Sequence, residues 1–123
     1  MTPRVGEVIK DWTTNLITRD GDYKYHLCVC EKTLQFLLIC HRQMADDFLI
    51  TDSDCGGLPL PESYVSISRV LFVDRWSRKA ERTCRVSDAY LAALLVHVRG
   101  SPRMTPKDKR KVIPSLEAHL AAL

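Results

Sequence analysis

Polar and hydrophobic residues alternate over the first two thirds of the chain, and apolar residues then recur at helical spacing. In "VGEVIKDW" (Val5 to Trp12), Val5, Glu7 and Ile9 fall on one side of an extended segment, with Gly6, Val8 and Lys10 on the other. The polar run "TTNLITRDGDYK" follows and carries a turn signal at Asp20-Gly21-Asp22. "YHLCVCE" (Tyr25 to Glu31) and "TLQFLLICH" (Thr33 to His41) are rich in strand formers and meet at Glu31 and Lys32, which predicts a tight hairpin. "DFLITDSD" (Asp47 to Asp54) predicts a shorter strand running into the turn-rich "DCGGLPLPE". "SYVSISRVLFVDRW" (Ser63 to Trp76) predicts the longest strand, with Tyr64, Ser66 and Ser68 on one face and Val65, Ile67 and Arg69 on the other.

The period changes in the last third. Leu91, Leu94, Leu95 and Val98 form one helical stripe in "DAYLAALLVHVRG", with Ser87 placed as N-cap and Gly100 as the C′ residue. A second helix starts at Thr105 as cap with Pro106 at the first helical position. Pro114 is expected to interrupt it, and "PSLEAHLAAL" to resume. About five strands followed by helices predict an α+β domain built on a small, strongly bent antiparallel sheet or barrel. The barrel is expected over about residues 5–76 and the helical part over about 87–123, in one domain spanning 1–123.

Length and composition narrow the classes without choosing one. A chain of 123 residues with 46% hydrophobic and 27% charged residues suits one modest core. A net charge of +3 permits nucleic-acid contact but does not require it. No apolar run reaches the roughly 18–20 residues of a membrane span. Without such a run no membrane partner is expected, and "MTPRVGEVIKDW" lacks an apolar signal core, so secretion by that route is not expected. Five cysteines, an odd count without framework spacing, fit a reducing, cytoplasmic setting.

The cysteines raise a metal question. "YHLCVCEKTLQFLLICHR" holds His26, Cys28, Cys30, Cys40 and His41, and in a strand His26, Cys28 and Cys30 share one face. Cysteines two apart in a strand hold their sulfurs roughly 6–7 Å apart, and Cys55 and Cys84 stand alone in the sequence. No second close-spaced pair completes a tetrahedral site. The cysteines therefore read as core filling, with no metal and no cofactor expected.

Two polar groups carry candidate chemistry. "DRWSRKAER" sets Arg75, Arg78 and Lys79 beside Trp76, a combination suited to phosphate contact and base stacking, or to a charged loop anchored by its tryptophan. The second group is dispersed: Arg19 in the loop after the first strand, Lys24 and His26 opening the second, Thr51 and Ser53 ending the fourth, and Ser66 on the fifth. Brought together by a curled sheet, these would suit phosphodiester cleavage. His26 would move the proton, Lys24 or Arg19 would stabilise the phosphorane, and hydroxyls would orient the substrate. RNA is the apt substrate, since its 2′-hydroxyl supplies the nucleophile and no metal is required.

The order of segments resembles the PemK/MazF-like toxins. "GEVIKDW" is similar to the family's opening strand, "KYHLCVCE" to the strand after its long polar loop, and "LPLPESYVSISRVLFV" to a strand of divergent members. "RVSDAYLAALLVHVRGS" resembles the helix that packs back on the barrel. The family's Arg-Pro opening of the second strand is replaced here by Lys24-Tyr25-His26. The resemblance implies an SH3-like barrel, metal-independent endoribonuclease activity on single-stranded RNA, a small antitoxin protein as partner, and commonly a homodimer. Lys24 and His26 would be catalytic, with Arg19, Thr51, Ser53 and Ser66 contacting substrate. A catalytically inert interaction module, or a non-cleaving nucleic-acid binder using Arg75, Trp76, Arg78 and Lys79, is the alternative.

Overall fold

In the computed structural model, which describes residues 1–13 and 22–123, six strands precede two helices. The strands are β1 (Glu7–Thr13), β2 (Asp22–Cys30), β3 (Gln35–Cys40), β4 (Phe48–Thr51), β5 (Glu62–Phe72) and β6 (Glu81–Arg85), and the helices are α1 (Asp88–Gly100) and α2 (Pro106–Ala121). All strand pairs are antiparallel, in one sheet of order β4-β5-β3-β2-β1-β6 that curls into a half-barrel. Register shifts at Val8/Ile9, Cys28/Cys30 and Leu37/Ile39 supply local bends, because an extra residue on one strand increases its twist.

Both faces of the central strands are covered. On one face Val8, Leu27, Leu37, Val65 and Ile67 pack with Leu91, Leu94, Leu95 and Val98 of α1 and with Val112 and Leu116 of α2. The opposite face buries Ile9, Cys28 and Phe36. Its cover comes from the topology: β5 and β6 lie on opposite sides of β3, β2 and β1, so residues 73–80 must cross those three strands. Along this strap Val73 N–H donates to Leu34 C=O (3.0 Å), Trp76 meets the Phe36 ring edge-on (5.1 Å between centroids), and Ser77 bonds Asp11. Burial on both faces explains why "HLCVC" and "FLLIC" read as continuous apolar runs.

The curl also brings the free edges of the sheet together, and sulfur joins them. Cys55, just past β4, is disulfide-bonded to Cys84 in β6, with 5.5 Å between Cα atoms. Beside it a Cβ on Gly57 would stand 2.9 Å from Thr83 Cγ2, and Gly57 has φ +99°, so only glycine fits this close approach. This corrects the expectation that Cys55 and Cys84 stand alone. A separation of 29 residues gives no spacing signal, and only the curl makes them neighbours. The pairing also removes the compositional argument for a reducing compartment. Cys28, Cys30 and Cys40 are free thiols, and burial pushes the Cys28 thiol up to about 12.

Other expectations need adjustment. Among the described residues the strands number six rather than about five. The polar "ERTCR" becomes β6 because it adds to the edge of β1, pairing Glu7 with Arg85 and Val8 with Cys84. The hairpin join is longer than two residues, running through Leu34 at φ 55°. Ser87 and Thr105 cap α1 and α2, accepting from Tyr90 N–H (3.1 Å) and Asp108 N–H (3.2 Å). Gly100, however, is the last residue of α1 rather than a C′ glycine. The chain leaves the helix at Ser101, whose hydroxyl bonds Asp46 and accepts from Arg103 and Met104 N–H. Pro114 does not interrupt α2: Val112 and Leu116 on either side are buried, and the helix face holding the proline is exposed. Among the described residues no helix is long and apolar enough to cross a membrane.

Candidate functional site

The hairpin register assembles a cavity of about 520 Å³ at one end of the half-barrel. Tyr25 pairs with Ile39 across β2 and β3, and continuing that register carries Lys24 beside Cys40 and Tyr23 beside His41. β1 adds Lys10, which pairs with Tyr25, and the turn-rich loop after β4 adds Leu58 and Pro59 as the opposite wall. The lining thus holds three permanent cations, Lys10, Lys24 and Arg42, with His41, Tyr23 and Tyr25, and no described carboxylate. A concave site lined by cations concentrates anions. Lys10 Nζ lies 4.2 Å from the Tyr23 ring centroid and keeps a loose, 3.9 Å pair with Glu81. In the lining, burial raises the Cys40 thiol, with the Lys24 charge opposing and the Asp47 charge reinforcing that shift.

A second cavity, about 530 Å³, lies where the strap crosses β1 and β2 and includes Asp11, Trp12, His26, Phe72, Arg75 and Trp76. His26 is only 5% exposed. Its Nδ1 lies 3.2 Å from Ile9 C=O, to which it donates, and its ring meets Trp76 edge-on at 5.4 Å. Burial, the dominant influence, lowers the imidazole's pKa below 6.5 against the opposing pull of the Ile9 carbonyl and Asp11. Asp11 holds the strap: it accepts from Trp12 N–H (2.8 Å), Ser77 N–H (3.1 Å) and the Ser77 hydroxyl.

The lowered His26 pKa has a sign. Above pH 6.5 both folded and unfolded imidazoles are neutral, and the stability associated with the neutral form is fully present. As pH falls below that value the unfolded chain takes up a proton that the fold accepts only at lower pH, so stability is lost. Urea unfolding at about pH 7.5 and about pH 5.5 is expected to show a larger acid loss for wild type than for His26→Gln. Equal losses would place the acid sensitivity elsewhere.

Lys24 lines the end cavity and His26 the strap cavity: they share a face of β2, but the strap covers the histidine. Arg19 and the Asp20 turn signal lie outside the described residues. Thr51 and Ser53 close the turn that presents Cys55, with Thr51 N–H and hydroxyl bonded to Asp54 Oδ2 (2.9 and 3.0 Å) and the two hydroxyls 2.8 Å apart. Ser66 is half-buried on β5, on the side opposite Val65 and Ile67. Arg75 and Trp76 line the strap cavity, and Arg78 and Lys79 are exposed on the strap. Among the described residues no group of three or more His, Cys, Asp or Glu side chains is placed to hold a metal ion. The sequence raises His41 only as a possible metal ligand, and does not point to Lys10, Tyr23 or Arg42. Their signal lay in the hairpin register, which places the start of β2 beside "CHR".

No family model, curated protein or solved structure matches the chain.

Proposed function

We propose that this protein acts on single-stranded RNA, as its resemblance to the PemK/MazF-like toxins suggests, and that the end cavity takes the phosphodiester. The observation that carries this reading is the clustering of Lys10, Lys24 and Arg42 with His41 and two tyrosines, without a described carboxylate, in one concave site. Lys24 and Arg42 bind the phosphate oxygens and offset charge as the phosphorane forms. The exposed His41, rather than the covered His26, removes the 2′-hydroxyl proton. The 2′-oxygen then bonds to phosphorus as the bond to the 5′-oxygen breaks, and that oxygen gains a proton. The products are a 2′,3′-cyclic phosphate and a 5′-hydroxyl. A small acidic protein seated on the same cations would silence the site, as an antitoxin does.

The test compares an all-ribose oligonucleotide with the same sequence lacking 2′-hydroxyls, in the presence of a chelator. Cleavage is expected for the ribose strand alone, falling about 10²-fold or more in His41→Ala. Binding of both strands without product would remove the cleavage step and leave an RNA-binding protein. Absence of binding at low salt would remove the reading altogether.

A further inference from the structure

Between the two cavities runs a continuous row of two aromatic rings with a cation at each end. Lys10 Nζ lies 4.2 Å from the centroid of Tyr23. Tyr23 meets Trp12 at 4.8 Å with the ring planes 81° apart. Lys79 Nζ completes the row 5.4 Å from the Trp12 ring. Tyr23 lines the end cavity, Trp12 lines the strap cavity, and Tyr23 is 37% exposed. The row draws on three separate parts of the chain, β1, β2 and the strap.

We propose that Tyr23 and Trp12 form a base-stacking subsite for the nucleotide next to the phosphate held in the end cavity. The inference rests on the RNA-binding reading above and extends it from the backbone to the base. Two rings near a right angle make a corner: a base lying flat against one ring turns its edge to the other. Lys10 and Lys79 each lie over one face of their ring, so a stacking base takes the opposite face. Stacking requires an unpaired base, since a duplex presents only base edges, so the subsite selects single strands. It also assigns stacking to Trp12, whereas Trp76 is already engaged with His26 and Phe36.

The test uses two oligoribonucleotides of identical charge, one intact and one with a run of abasic residues, at fixed salt. Wild type is expected to bind the intact strand about tenfold more tightly, within the range for one stacked base. A Trp12→Leu/Tyr23→Leu variant is expected to bind both strands equally, at the level of the abasic one. To guard against misfolding of that variant, the protein is also studied as Trp76→Phe, in which Trp12 is the remaining tryptophan of the chain's two. Its emission should be quenched by the intact strand and unchanged by the abasic strand. Equal binding of both strands by wild type would overturn the stacking subsite and leave phosphate binding standing. Discrimination that survives in the double variant, or quenching by the abasic strand, would also overturn the subsite. Binding of neither strand would overturn the underlying reading and this inference with it.

Discussion

Reducing the Cys55–Cys84 bond is expected to lower folding stability by about 3–4 kcal/mol, the loop-closure value for a loop with this separation of 29 residues. The bond ties the loop after β4 to β6, so it closes the half-barrel where the two edge strands have no backbone ladder between them. For a domain of this size such a loss is a large part of the total stability. Urea unfolding with and without a dithiol reductant measures it, and a Cys55→Ser/Cys84→Ser variant is expected to match the reduced wild type. The effect should reach the cavity as well, because Leu58 and Pro59 of the tethered loop form one wall. Weaker RNA binding by the reduced protein, at a denaturant-free temperature where it remains folded, is the associated outcome. Identical unfolding midpoints under the two conditions would show that the sheet edges are held by packing alone.

Neutralising Lys24 and Arg42 together, as Lys24→Gln/Arg42→Gln, is expected to weaken single-stranded RNA binding by about 10²-fold, the scale of two lost charge-assisted contacts. The salt dependence provides a second, independent readout. Each phosphate contact on a single strand contributes about 0.7 to the slope of log K against log salt, so the slope should fall by about 1.4 in magnitude. Arg42 is exposed and Lys24 half-buried, so folding stability should change by less than about 1 kcal/mol and the loss can be read as binding. A single neutralisation on the strap, Arg78→Gln, gives the contrast: Arg78 does not line the end cavity, and its effect should be several-fold at most. A slope unchanged in the double variant but reduced by Arg78→Gln would move the phosphate site to the strap.

Local chemistry made much of this fold legible. Ser87 and Thr105 cap their helices as their residue types suggest, and Leu91, Leu94, Leu95 and Val98 form the buried stripe their spacing predicts. What was illegible depends on long-range placement. "ERTCR" has no apolar alternation, since an edge strand beside β1 can satisfy its backbone while keeping charged side chains in water. Cys55 and Cys84 meet only because the sheet curls, and Pro114 survives inside α2 because tertiary packing of Val112 and Leu116 outweighs its local cost. The candidate site was half legible for the same reason. Strand parity puts Lys24 and His26 on one face of β2, but the crossing of residues 73–80 covers His26 and leaves Lys24 with His41 and Arg42.

The most direct measurement is a nitrogen-15 NMR titration of the oxidised protein with a non-cleavable single strand of about eight nucleotides, within the usual single-strand site size. The largest shifts are expected at the backbone amides of Lys10, Tyr23, Lys24, Tyr25, His41 and Arg42. Trp12 and Lys79 should follow in the same titration. Shifts confined to the helix surfaces, or to the strap with the end cavity silent, would contradict the assignment of the end cavity as the RNA site.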